Sequence, residues 1–183
     1  MKDYILIKDF IKDLKVGAIA SSSKYVSKNM VNKIDFDKAN ILIEYGPGKG
    51  IITKQLLDLM KKDAILFAFE TNENFLEYMT KINDERLIIL NADAEEAQNI
   101  LKNRFKIEQV DYIISTIPFT FFDRRKRRRI IYRSYSMLKE KGKFITSQYS
   151  WLIYNLIKNK FSESSIKATL FNLPPAFIFE GIK

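Results

Sequence analysis

Three of the chain's six glycines, Gly46, Gly48 and Gly50, fall within one five-residue window. They separate two segments of different periodicity. Upstream, Asn40-Ile41-Leu42-Ile43 is a short apolar run suited to a buried strand. Downstream, Ile51 to Lys62 spaces its apolar residues as a helix does. Glycine weakens regular structure, and it is used where backbone turns sharply or lets a ligand approach closely. A strand, a glycine loop and a helix in that order constrain the chain to an α/β unit with a small molecule against its main chain.

Spacing separates the ligands that use such a unit. A phosphate-binding P-loop needs G-x-x-x-x-G-K-[ST], which is absent. A dinucleotide fingerprint needs G-x-G-x-x-G, but position 51 is Ile51. What stands is an acid, Glu44, followed by G-x-G-x-G. Two further strands end in acids. Ala64 to Phe69 is a buried-type run closed by Glu70, twenty residues beyond Gly50. Arg86 to Leu90 is followed by Asn91-Ala92-Asp93. A carboxylate such as Glu70, at the tip of a second strand, is placed to accept both hydroxyls of a ribose.

Alternating β and α patterns continue to Gly142, through a fourth strand at Asp111 to Ser115 and a basic helix near 123–139. Gly142 to Gln148 reads as a fifth strand and Trp151 to Lys160 as a helix. Ser165 to Asn172 and Ala176 to Ile182 read as two strands joined at Leu173-Pro174-Pro175. Such alternation implies a mostly parallel sheet covered on both faces. Ahead of it lie helices over 2–15 and 22–33. The first places Tyr4, Ile7, Ile11 and Leu14 on one face, and suits either docking on the core or lying in a membrane interface.

At 183 residues the chain is expected to form one domain, with 1–36 a helical cap or membrane-contact segment and 37–183 the catalytic core. No apolar run approaches the roughly 20 residues that span a bilayer, and no signal-peptide pattern stands at the amino end. The absence of cysteine excludes disulfides and thiolate chemistry, and the absence of histidine excludes a histidine base or metal ligand. No metal is expected. A formal charge of +9 points to an anionic partner, nucleic acid or membrane surface. The charge concentrates in Asp123-Arg124-Arg125-Lys126-Arg127-Arg128-Arg129, at the amino end of a helix, where the helix dipole disfavours cations. Arg124, Arg125 and Arg128 are therefore candidate ligands of phosphate groups on lipid or RNA.

The acid and glycine spacing resembles the first motif of class I S-adenosylmethionine-dependent methyltransferases. That resemblance implies a Rossmann-like, seven-stranded sheet with one antiparallel strand, helices on both faces and an extra amino-terminal amphipathic helix. It also implies S-adenosylmethionine as cofactor, held at Glu44, Gly46, Gly48, Gly50, Glu70, Asp93 and Ser115. Glu44 would hold the amino end of the methionine part and Asp93 the adenine amine. More widely, the chain is similar to bacterial phospholipid N-methyltransferases, relatives of the rRNA adenine dimethyltransferases. The matching stretches are Phe10 to Leu14, Val16 to Ser23, Glu44 to Gly50, Ile117-Pro118, Gly142 to Tyr149 and Asn172 to Ala176. Ser21 stands where proline is usual, and Thr116-Ile117 where Ser/Gly-Leu is usual.

The loop Ser115-Thr116-Ile117-Pro118-Phe119 matches the motif that grips the target amine in amino-directed members. Thr116 would orient the amine and Phe119 would wall the pocket, with Tyr25 and Tyr149 as candidate proton acceptors. The expected substrate is the headgroup amine of phosphatidylethanolamine or a related aminolipid, met by a cytoplasmic protein peripherally bound to an anionic membrane. The RNA relatives usually carry a helical domain after the sheet, and the sequence to Lys183 leaves no room for one. RNA adenine methylation through the arginine cluster, or a cofactor-binding protein without catalysis, remain the alternatives.

Overall fold

The computed structural model describes residues 25–169 and 175–183. The expected helix over 2–15, the start of the next helix and the turn through Leu173-Pro174 lie outside these residues.

Residues 25–31 form helix α1. The sheet follows, from β1 (Ile41–Tyr45), α2 (Ile51–Leu59), β2 (Ile65–Glu70), α3 (Glu73–Met79) and β3 (Leu87–Asn91). A short helical turn at Ala94–Glu96 leads into α4 (Ala97–Ile100), which widens into a π-turn at Leu101–Phe105. The remaining elements are β4 (Val110–Ser115), α5 (Arg124–Met137), β5 (Leu138–Gln148), α6 (Tyr154–Lys160), β6 (Glu163–Thr169) and β7 (Ala176–Ile182).

The sheet has seven strands in the order β3-β2-β1-β4-β5-β7-β6. β1 to β5 pair in parallel, and β7 runs antiparallel to both β5 and β6. It is the expected mostly parallel sheet with one antiparallel strand. Period-two alternation sorts its side chains between two faces. Ile43, Tyr45, Phe67, Phe69, Ile113, Phe144 and Phe179 turn toward α4, α5 and α6. Leu42, Leu66, Ile114, Ile145 and Ile178 turn toward α1 and α2, meeting Met30, Leu56 and Leu57. Glu44 and Glu70 share the second face by the same alternation.

Element ends differ from the sequence reading where capping decided them. α2 stops at Leu59 rather than Lys62 because Arg86 takes its free carbonyls, donating to those of Leu57, Met60 and Lys61. α5 buries Ile130, Ile131, Ser134 and Met137, and Asp123 caps it by accepting the Lys126 N–H at 2.8 Å. β5 begins early, at Leu138, with a bulge opposite Val110 and Tyr112 before regular pairing resumes at Lys143. α6 starts three residues late, at Tyr154, because 151–153 form a turn.

Candidate active site

β1 lies between β2 and β4, so the chain leaves it in opposite directions and the loops after β1 and β4 part at the sheet's carboxyl edge. Open α/β sheets hold their ligands at such a switch point. Three loops are clamped together here. Gly46 N–H donates to the Phe69 carbonyl at 2.9 Å, and Thr116 N–H donates to the Tyr45 carbonyl at 3.0 Å. The Thr116 hydroxyl donates to the Gly46 carbonyl at 2.7 Å.

The glycines have distinct duties. Gly46 has φ 70°, and a Cβ on it would lie 2.8 Å from Cγ2 of Ile117, so its bareness lets two loops touch. Gly48 also has positive φ, 56°, but a Cβ there would meet no atom within 4 Å. Its bareness leaves space that no protein atom fills. Gly50 begins α2 and is crowded by Ile82.

Around that space stand acceptors without full satisfaction. Glu44 is fully buried; one oxygen accepts the Thr53 hydroxyl at 2.7 Å, and the other, Oε1, has no partner. Burial, with the nearby Glu70 carboxylate adding to it, pushes its carboxyl up to about 7. Glu70 Oε2 accepts the Gly48 N–H at 3.2 Å, and Oε1 accepts from Thr71 and Asn72 at 2.8 and 2.9 Å. A carboxylate offers about four lone-pair sites, so Glu70 keeps capacity for a hydroxyl. Ser115 is fully buried with its Oγ unpartnered. A cationic, hydroxyl-bearing group such as S-adenosylmethionine fits this set: open space over main chain, an unsatisfied buried carboxylate and a second carboxylate at the rim.

Asp93 sits beyond β3 on the same edge. Its carboxylate accepts the Glu95 N–H at 2.9 Å in a capping box and pairs with Lys126 Nζ at 2.6 Å. Lys126, unnoticed in sequence beyond its charge, joins the basic helix to Asp93 and lies 4.6 Å from the Phe122 ring centroid. The basic run thus divides its labour. Arg129 and Arg133 hold Glu95 by its carboxylate and carbonyl, respectively. Arg124, Arg125 and Arg128 are exposed and make no ion pair among the described residues; Arg128 lies 5.0 Å from the Tyr132 ring.

The loop after β4 turns its aromatic residues to different surroundings. Phe119 is completely buried within the core, edge-on to Phe122, and presents no wall to solvent. The half-buried members of the loop are Thr116, Ile117, Pro118, Phe121 and Phe122. Gln148, at the end of β5, binds the loop from beneath. It accepts the Phe119 N–H at 3.2 Å and donates to the Ile117 carbonyl at 2.9 Å. Thr53, nine residues after Glu44, had no signal in the sequence. Tyr149 follows Gln148 at the rim, half exposed, with partial burial raising its phenol above the usual value. Tyr25 is exposed on α1. No group of histidine, cysteine, aspartate or glutamate able to hold a metal occurs among the described residues.

Sheet order and loop define a class I methyltransferase fold, and solved structures agree. Magnesium protoporphyrin IX methyltransferase from Synechocystis superposes on 100% of this chain and 98% of its own, with TM-score 0.70 at 11% identity. Precorrin-6y C5,15-methyltransferase from Geobacter metallireducens does so over 87% and 89%, with TM-score 0.69 at 14% identity. Residues 21–121 match the ribosomal RNA adenine dimethylase family, and the chain belongs to that family. It is an S-adenosylmethionine-dependent methyltransferase. Ornithine lipid N-methyltransferase from Singulisphaera acidiphila is 26% identical over 100% of this chain and 98% of its own length. Ribosomal RNA small subunit methyltransferase A from Mycoplasma capricolum is 36% identical over 50% of this chain. That alignment covers 35% of the Mycoplasma enzyme, about a third of its length.

Proposed function

We propose that the protein methylates the headgroup amine of phosphatidylethanolamine or a related aminolipid at the cytoplasmic face of a membrane. The observation that carries this reading is the end-to-end similarity to ornithine lipid N-methyltransferase, against the half-chain match to the Mycoplasma ribosomal RNA enzyme. Residues 37–183 would be the catalytic core and 1–36 the cap facing the membrane. No helix among the described residues is long and apolar enough to cross one.

In this reading Gly48, Glu44 and Ser115 would hold the cofactor's methionine part, Glu70 its ribose and Asp93 its adenine. When bound it supplies a sulfonium methyl, electrophilic enough that the protein contributes mainly alignment. Thr116 commits its hydroxyl proton to the Gly46 carbonyl. Its oxygen lone pairs remain to accept an N–H of the target amine and so direct the nitrogen. Phe122, rather than Phe119, flanks the amine. The amine arrives as an ammonium and must first lose a proton. Without histidine, that proton passes through tyrosine hydroxyls and water. The raised phenol of Tyr149 stays protonated at neutral pH, so Tyr149 relays a proton rather than storing one. Arg124, Arg125 and Arg128 hold lipid phosphates.

Expression in a bacterial host without N-methylated lipids tests the reading. New N-methylated lipids are expected with the unmodified chain and not with Gly48→Val. Unchanged lipids alongside newly methylated adenines in ribosomal RNA would select the second reading, which the family match over residues 21–121 favours.

A further inference from the structure

Among the described residues, the turn after β5 carries the densest group of exposed large apolar side chains. Tyr149, Trp151 and Leu152 are 49%, 54% and 48% exposed. They are held out rather than left loose. The Trp151 ring lies 4.8 Å from that of Phe177 and about as far from Tyr154 and Phe179, at 6.0 and 6.2 Å, as aromatic pairs sit. Ile153, next in sequence, is fully buried and anchors the turn. A soluble surface gains nothing from displaying a braced tryptophan beside a bare leucine, and contiguous exposed apolar groups mark interaction sites.

The turn's position says what it meets. β4 and β5 are parallel neighbours, so the loops that follow them leave from one edge of the sheet. Gln148 joins those loops through its bonds to Ile117 and Phe119. Five residues beyond Phe119, α5 begins with Arg124 and Arg125, exposed and without an ion pair among the described residues. The aromatic and aliphatic turn and the segment leading to the arginines thus follow neighbouring parallel strands and leave from the edge that carries Thr116 and Gly48. Tryptophan and tyrosine with leucine favour the boundary between headgroups and acyl chains, and arginines favour anionic headgroups.

We propose that Tyr149, Trp151 and Leu152 form a wedge that inserts into the interfacial layer of an anionic bilayer, while Arg124 and Arg125 bind its headgroups. Docked so, the membrane surface lies across the opening of the site, and a headgroup amine reaches Thr116 without the lipid leaving the bilayer. The inference rests on the lipid reading above and assigns the surface that serves it. Tyr149 then has its place at the interface as well as beside the site.

Trp151 is the only tryptophan in the chain and reports on its own surroundings. The full chain is titrated with vesicles of phosphatidylcholine and phosphatidylglycerol. Trp151 emission should shift to the blue and be quenched by lipids brominated near the top of the acyl chain. Leu152→Glu should weaken partitioning about tenfold or more, as loss of one buried leucine side chain dictates. Leu152→Ser, which adds no charge, should act in the same direction and guards against misfolding. Arg124→Glu with Arg125→Glu should remove the salt-sensitive part. Methyl transfer to aminolipid dispersed in detergent should survive Leu152→Glu. Protein that sediments with vesicles while Trp151 emission stays unshifted and unquenched would overturn the wedge. So would a shift seen with structured RNA and not with vesicles. A normal shift without methyl transfer to any lipid would keep the docking surface and defeat the lipid-methylation reading instead.

Discussion

Glu44 gives the sharpest quantitative expectation. Its carboxyl is fully buried with one oxygen unpartnered, and its pKa stands at about 7 against an ordinary 4.5. An unfolded chain ionises this group at the ordinary value while the folded chain keeps its proton to about 7. Unfolding is therefore increasingly favoured as pH rises between those values, and the penalty levels off above the folded pKa. At about 1.36 kcal/mol per pKa unit, the penalty grows by about 2.5 kcal/mol between about pH 5 and 8. Glu44→Gln keeps the shape and the acceptor for Thr53 but cannot ionise. Urea midpoints of both proteins without cofactor, measured across that range, isolate the effect, because all other titrations are common to both. The unmodified protein should lose about 2.5 kcal/mol relative to the variant on going from about pH 5 to 8. S-adenosylmethionine should recover that loss in the unmodified protein, since a cationic ligand favours the ionised carboxylate. Parallel stability curves would show that Glu44 is already ionised in the folded state and would refute the electrostatic reasoning.

Gly48→Val should abolish cofactor binding in calorimetry by filling open space, and its left-handed φ adds a stability penalty that the urea midpoint reads; Gly46→Ala should lower that midpoint through the same left-handed penalty of about 1–2 kcal/mol and through contact with Ile117 as well. Thr116→Val should reduce turnover by about one to two orders of magnitude with little change in cofactor affinity. Equal turnover would pass the acceptor role to the main chain. Phe119→Ala should cost about 3–5 kcal/mol of stability, measured by denaturation, because the ring is core; lost turnover at unchanged stability would restore it as a pocket wall.

The fold was legible because its signals are local. Fully apolar strands, the glycine loop after β1 and acids at the ends of strands fixed the parallel sheet and the edge on which the site lies. The antiparallel β7 came from resemblance, since no period or turn residue in Ala176 to Ile182 states its direction. Side-chain partners were not legible, because they depend on which elements become neighbours. Thr53 reaches Glu44 only once α2 folds back on β1, and Lys126 reaches Asp93 only once α5 crosses to the end of β3. The burial of Phe119 was not legible either, because a motif specifies an aromatic at that position and not which side of the loop it faces. Within the basic run, the ties of Lys126, Arg129 and Arg133 to Asp93 and Glu95 beyond β3 were not legible, while Arg124, Arg125 and Arg128, singled out in sequence, are exposed.

The central claim, methyl transfer to a lipid amine, is tested most directly by incubating the purified chain with radiolabelled S-adenosylmethionine and a mixture of aminolipid vesicles and ribosomal RNA. The mixture is then separated into organic and aqueous phases. Label should accumulate in the organic phase, on a lipid bearing an N-methylated headgroup, and should disappear with Gly48→Val. Label confined to RNA adenines in the aqueous phase, with unmodified lipid, would contradict it.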